Sequence, residues 1–212
     1  EGTFNFTPWL WSTGATSYDI NNDNGIKALT LVKDLVDAGS MSKEVINWTQ
    51  GDVMNQFISG NIAMMVNGPW QVPTMREQAP DLNWDVTLLP KDAEYASCLG
   101  GENFGVIDGD NVDAALDFLQ FATSKDEVAS YIDDFGYIAA RKDVAEGQFT
   151  DDETMQKFTE EMQYAQPRGP HAQWPEISDA LSLAVNESIT GTSTPADAAA
   201  KAQSTIDGIL AE

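Results

Sequence analysis

Phe57-Ile-Ser-Gly-Asn-Ile-Ala-Met-Met-Val-Asn-Gly-Pro-Trp70 is the stretch whose reading decides the fold. Phe57 and Ile58 close an amphipathic helix, and Gly60 stands at the C′ position, where a left-handed backbone satisfies the last helical carbonyls. Ile62 to Val66 is an unbroken apolar run of strand length, which predicts a strand buried on both faces. Asn67-Gly68-Pro69 then stops that strand, since these residues favour a turn and proline has no N–H to continue a ladder. Trp70 is thereby delivered to the carboxyl end of a buried strand, the place where open α/β sheets hold their ligands.

Around this centre the chain punctuates itself. Asp19-Ile-Asn-Asn-Asp-Asn-Gly25 has spaced carboxylates and amides that suit a calcium loop, but Gly25 is one position late for the EF-hand turn and Thr30 stands where the bidentate glutamate is needed. The segment therefore reads as a loop and helix cap. The helix it opens carries Ile26, Leu29, Val32, Leu35 and Val36 at helical spacing and ends at Gly39. Thr49-Gln-Gly-Asp52 has the form of a capping box, and Trp84-Asp-Val-Thr-Leu-Leu-Pro90 alternates as a strand. A helix over about 112–122 follows, then Ser124-Lys-Asp-Glu127 as a second capping box for a helix ending at Gly136. Thr150-Asp-Asp-Glu153 caps a helix whose Met155, Phe158 and Met162 read as core. Gln166 to Gln173 is too rich in proline and glycine for a helix, and the next one starts with Pro175 at N1. It runs through Ile177, Leu181, Ala184, Val185 and Ile189 to Gly191, and Thr194-Pro-Ala-Asp197 caps the last.

The pattern F-x-x-G-x-x-A-M-x-x-x-G-x-W, matched by Phe57, Gly60, Ala63, Met64, Gly68 and Trp70, resembles the solute-binding proteins of ABC importers, in the carbohydrate-binding group that includes maltose-binding protein. Gly100-Gly101, Phe118-Leu119-x-Phe121, Gly136-x-x-Ala139 and Trp174-Pro-Glu-Ile follow in the family's order, so the resemblance covers the whole chain. It implies an α/β, type II periplasmic-binding-protein-like fold, here an incomplete two-lobed architecture, because the family's chains are nearly twice as long and their N-terminal part is absent. Residues 1–99 are then the core of the C-lobe, 100–140 the crossing segment and helices of the largely missing N-lobe, and 141–212 the return to the C-lobe. Leu116, Phe118, Leu119, Phe121, Tyr131 and Phe135 are expected to lose part of their cover.

With 34 acidic against 11 basic residues, a net charge of −23, the chain is unsuited to nucleic acid or anionic lipid, both of which need basic residues to neutralise phosphates. No apolar run approaches membrane-spanning length. The chain opens at Glu1 without a signal-peptide pattern, which reads as a processed or truncated product. Cys98 is the single cysteine, so it forms no intrachain disulfide and reads as a small buried hydrophobe.

The candidate ligand residues are aromatic or flank glycines. Trp9 and Trp11, in an extended Phe4 to Trp11 segment, would share one face, either as a sugar-stacking platform or as core. Gly101 permits close backbone approach, and Glu102 and Asn103 offer hydrogen-bonding positions, as ligand contacts or as part of a hinge. The 166–173 loop brings Arg168, His171 and Trp174 together, and by resemblance Trp174 stacks on sugar from the second wall; His171 faces either ligand or backbone. Trp70 completes the set.

Catalysis finds little purchase: one histidine and no Gly-x-Ser-x-Gly elbow argue against a triad, and a histidine-rich zinc site is impossible. Glu102 keeps a glycoside hydrolase as a remote alternative, and a truncated interaction module is the other. The reading is a carbohydrate-binding component of an ABC transporter, not an enzyme, with no cofactor and no catalytic or metal site. Its partners are a mono- or oligosaccharide and the permease. By resemblance it is extracytoplasmic, periplasmic or a surface lipoprotein whose anchor lies upstream.

Overall fold

A computed structural model describes residues 2–211. Its elements are α1 (Gly2–Ser12), α2 (Asp23–Asp37), α3 (Gln50–Ile58), α4 (Val72–Gln78), β1 (Ser97–Leu99), α5 (Val112–Ala122), α6 (Lys125–Tyr131), α7 (Lys142–Ala145), α8 (Glu153–Glu161), β2 (Ala165–Pro167), α9 (Trp174–Thr190) and α10 (Pro195–Leu210). Among the described residues β1 and β2 form the one sheet, a parallel pair with Ser97 opposite Ala165 and Leu99 opposite Pro167.

The main core is built where local signals and burial agree. Asn22 caps α2 by accepting from the Gly25 amide, and Ala28, Leu29, Val32 and Val36 present a single apolar face. Ile177, Leu181 and Ala184 of α9 meet Ala198, Ala199, Ala202 and Ile206 of α10, whose small residues let the two helices approach closely. Each fully buried leucine or isoleucine here contributes about 1.5–3 kcal/mol. Thr49 makes a full capping box with Asp52, and Thr194 caps α10 through the Asp197 amide. Gly39, Gly60, Gly136 and Gly191 all have φ between 66° and 77°, so each adopts the left-handed backbone its position in the sequence demands. A smaller cluster of Val128, Ala139 and Val144 joins α6 and α7.

Several expectations are corrected. Phe4 to Trp11 is helical, not extended: Thr3, Phe6, Thr7, Leu10 and Trp11 are buried, the i, i+3, i+4, i+7, i+8 spacing of a helix face. Trp9 and Trp11 therefore point about 200° apart and share no face. Ile62 to Val66 forms no strand, and Met64 is 86% exposed, because a run of strand-forming residues needs a neighbour to pair with and none of the described segments supplies one. Trp84 to Pro90 also lies outside any ladder, although Trp84, Val86 and Leu88 are partly covered while Asp85 and Thr87 are exposed. The β-prone stretch after the Gly100-Gly101 pair, which reads as a short strand, has no regular structure from Gly101 to Ile107; the strand here is β1, before the pair. Ser124 makes no side-chain cap, and Asp152, not Thr150, caps α8. On α8 Met155 is buried, but Met162 beyond its end is exposed, so the expected core stripe is only partial. The start of the proline-rich loop pairs as β2.

On α5, Leu116, Phe118 and Phe121 are exposed, as is Phe135 beyond α6. Cys98 is half-buried and packs on the main core; burial pushes its thiol up, opposed by the Thr7 hydroxyl and the Arg168 charge.

Candidate functional site

The carboxyl ends of the two parallel strands define the candidate site, since that is where parallel α/β units leave room for a ligand. Leu99 runs on into Gly100 and Pro167 into Arg168, and the ring of Phe4, from the first turn of α1, lies between those two exits. A Cβ at Gly100 would sit 3.2 Å from Phe4 Cε2, and the Arg168 guanidinium carbon lies 4.9 Å from the Phe4 ring centroid. Glycine at position 100 is thus what lets the strand end pass so close to the ring.

Two further rings extend this face. The Trp70 centroid is 6.0 Å from Phe4 at an interplanar angle of 56°, and Tyr137 lies 6.4 Å beyond Trp70 at 53°. Such tilted pairs are favoured by the ring quadrupoles and contribute about 0.5–1.5 kcal/mol each beyond burial. Trp70 is held by the turn before it. Asn67 donates to the Gln50 carbonyl at 2.9 Å and accepts from the Gly68 amide at 3.0 Å, and Pro69 to Gln71 form a single 3-10 turn. Gly136, with φ +66°, packs where a Cβ would be 2.7 Å from the Pro69 carbonyl oxygen, and so sets Tyr137 beside Trp70.

Of the residues singled out from sequence, the structure brings Trp70 and Arg168 together here. Gly101 follows directly, at φ +146°; Glu102 and Asn103 are exposed in the irregular segment beyond it. Trp11 is buried, its Nε1 donating to Ser17 Oγ at 3.1 Å, and Trp9 is half-buried on the opposite side of α1. Trp174 and His171 gather around Tyr18, each 6.4 Å from its ring, and a Cβ at Gly169, the residue after Arg168, would lie 3.8 Å from the Trp174 ring. His171 Nδ1 accepts from the Gln173 amide at 3.1 Å, the backbone-bonded alternative of its two sequence readings. Near them a cavity of about 330 Å³ is lined by Trp11, Tyr18, Glu94, Gln166 and Gly169. Phe4 and Tyr137 were not singled out from sequence. The signals for them are indirect: Phe4 becomes a site candidate only if the segment is helical, and Tyr137 only through its place after a left-handed glycine.

The arrangement is suited to holding a flat, polar molecule. Aromatic rings offer apolar faces, Arg168 offers five N–H donors in a planar fork, and the backbone at Gly100 and Gly101 is open to approach.

Comparison with known proteins agrees with this fold. A crystal structure of an ABC transporter solute-binding protein from Thermotoga lettingae TMO, bound with α-D-tagatose, superposes with a TM-score of 0.84 at 26% identity, over 98% of this chain and 56% of that one. Maltose-bound MalE3 of T. maritima gives 0.84 at 23% identity, over 98% and 57%, and on that likeness shares the fold, that of a type II periplasmic binding protein. A Brucella abortus (strain 2308) protein described as a binding protein is 27% identical over 207 residues, covering 91% of this chain and 50% of its own length. The chain thus spans about half the length of the relatives it matches. The model of the bacterial extracellular solute-binding protein family matches residues 1–157, nearly three-quarters of the chain, and with the fold in agreement, this chain belongs to that family.

Proposed function

We propose that the chain forms one wall of the sugar site in the solute-binding component of an ABC importer. The observation that carries this reading is the convergence of Phe4, Trp70, Tyr137 and Arg168 where two parallel strands end. Aromatic faces stack on the C–H faces of a pyranose while polar groups fix the directions of its hydroxyls. No bond is made or broken in this role: capture, closure and release to a permease outside the cytoplasm make up the cycle. Residues 1–99 and 141–212 are assigned to one lobe and 100–140 to a crossing toward a second, with the exposed rings of α5 as the surface the rest of a two-lobed protein covers. Closing such lobes by a hinge would exclude water from the sugar. Gly101, Glu102 and Asn103, leaving the same strand end, are assigned hydroxyl contacts in the closed state. Trp174, His171, Trp9 and Trp11 are assigned to the support of the wall.

The test is a tryptophan-fluorescence titration of the full gene product against mono- and oligosaccharides, D-tagatose and maltose among them, with Trp70→Ala alongside. A saturable signal with one sugar, lost in the variant, is expected. Silence across the panel, or binding undiminished without Trp70, would overturn the proposal.

A further inference from the structure

The chain contains three arginines, Arg76, Arg141 and Arg168. Two of them are matched in the same way. Arg76 makes a bidentate pair with Asp152 at 2.7 and 2.8 Å, and Arg141 a bidentate pair with Asp143 at 3.0 and 2.9 Å. Arg168 makes no ion pair and no hydrogen bond among the described residues; it lies over the ring of Phe4, and its charge also reaches the Cys98 thiol. A ring face attracts the cation but accepts nothing from the N–H donors in the conventional sense, so the fork is left available.

This is unexpected in this composition. Acidic residues outnumber basic ones by 34 to 11, and an arginine placed without regard to function would have abundant carboxylates to pair with. Arg168 is also less exposed than the lysines that lack ion pairs here: it is half-buried, whereas Lys43, Lys91, Lys125 and Lys142 are exposed. Its position is set by the fold, one residue past β2 and over the aromatic face described above.

We infer that the sugar taken by this site carries an anionic group, a carboxylate or a phosphate, which the Arg168 guanidinium receives while the sugar ring lies on the Phe4 and Trp70 faces. The inference rests on the proposed carbohydrate function and specifies its ligand class. The planar fork of arginine matches both groups in two-point geometry, which a lysine point charge does not reproduce. Across the net −23 chain long-range steering opposes an anion, so the local pairing must supply the selectivity.

The experiment is calorimetric titration of the full gene product at low and moderate salt with D-galacturonate and D-glucuronate, with galactose 6-phosphate and glucose 6-phosphate, and with galactose and glucose. Each is repeated on Arg168→Gln and Arg168→Lys. The acidic sugars are expected to bind at least about tenfold more tightly than the neutral ones, the scale of one charge-assisted hydrogen bond. That preference should vanish in Arg168→Gln, be only partly restored in Arg168→Lys, and weaken with salt. Whichever of the uronate and phosphate arms responds identifies the anionic group. Thermal melts of both variants should stay within a few degrees of the parent, because Arg168 has no ion pair to lose and its contact with the Phe4 ring contributes only modestly to stability. Neutral sugars binding as tightly as acidic ones, with no change in Arg168→Gln, would overturn this inference and leave the carbohydrate reading standing. Absence of binding to every sugar would overturn both.

Discussion

The ring of Trp70 folds back over Gly68, so closely that a Cβ on Gly68 would lie 2.1 Å from Trp70 Cη2 and within 2.4 Å of three ring atoms. Gly68 has φ −112°, a conformation open to any residue, so glycine is required there for space and not for backbone freedom. Gly68→Ala is therefore a purely steric probe. It should leave the melting temperature within a few degrees, shift the tryptophan emission by moving the ring off Phe4, and weaken sugar binding by about tenfold or more, roughly 1.4 kcal/mol. Unchanged emission and affinity would show that the ring orientation carries nothing.

Trp11 provides the contrast. Trp11→Phe removes the indole donor to the buried Ser17 hydroxyl, and the combined loss of bond and volume should cost about 1–3 kcal/mol in urea denaturation. Sugar affinity should not change, because no ring contact links Trp11 to the Phe4 and Trp70 pair among the described residues. A fall in affinity at constant stability would move Trp11 into the site.

Asp152 caps α8 by accepting from the Met155 amide while it pairs with Arg76. The Arg76 hydrogen bonds, above all, hold its carboxyl below the ordinary value of 3.8. A depressed folded value stabilises the protein fully above the ordinary carboxylate range, and this contribution disappears as pH falls through the folded value. Asp152→Asn keeps a capping side chain and removes the charge. It should cost about 1 kcal/mol at pH 7, as for a well-formed but partly exposed pair, and the gap from the parent should close progressively below about pH 4. Parallel denaturation midpoints measured from pH 7 to 2.5 test this; a gap constant over that range would contradict it.

Gly136 and Gly39 share a left-handed backbone but not a neighbourhood. A Cβ at Gly136 meets the Pro69 carbonyl oxygen at 2.7 Å and Pro73 Cδ at 2.8 Å, while a Cβ at Gly39 meets nothing within 4 Å. Gly39→Ala should therefore cost only the backbone term, about 1 kcal/mol. Gly136→Ala should cost about 2–3 kcal/mol and displace Tyr137 from Trp70, seen as a change in the near-ultraviolet circular dichroism. Equal costs would mean that the Pro69 turn relaxes without resistance.

These contrasts separate what is legible in sequence from what is not. Thr49 and Thr194 as caps, the capping loop before α2, the left-handed glycines at 39, 60, 136 and 191, and the apolar faces of α2, α9 and α10 could all be read from residues within a turn or two of one another. The hydrogen bonds and contacts that reward them are that local. The family motif ending in Trp70 belongs to the same class, since its turn is closed by Asn67, Gly68 and Pro69 themselves.

Tertiary structure decided the rest. An apolar run such as Ile62 to Val66 has strand propensity, but its backbone groups need a partner segment, and no property of the five residues says whether one is present. The alternating rings of Phe4 to Trp11 fit either a strand or a helix until burial chooses, and here the α9 packing surface chose the helix, sending Trp11 into the core and Phe4 to the strand ends. The meeting of Phe4, Trp70, Tyr137 and Arg168 joins four segments separated by tens of residues. Each ring or charge was visible in the sequence, but their convergence depends on the parallel register of β1 and β2 and on the way the chain packs around it.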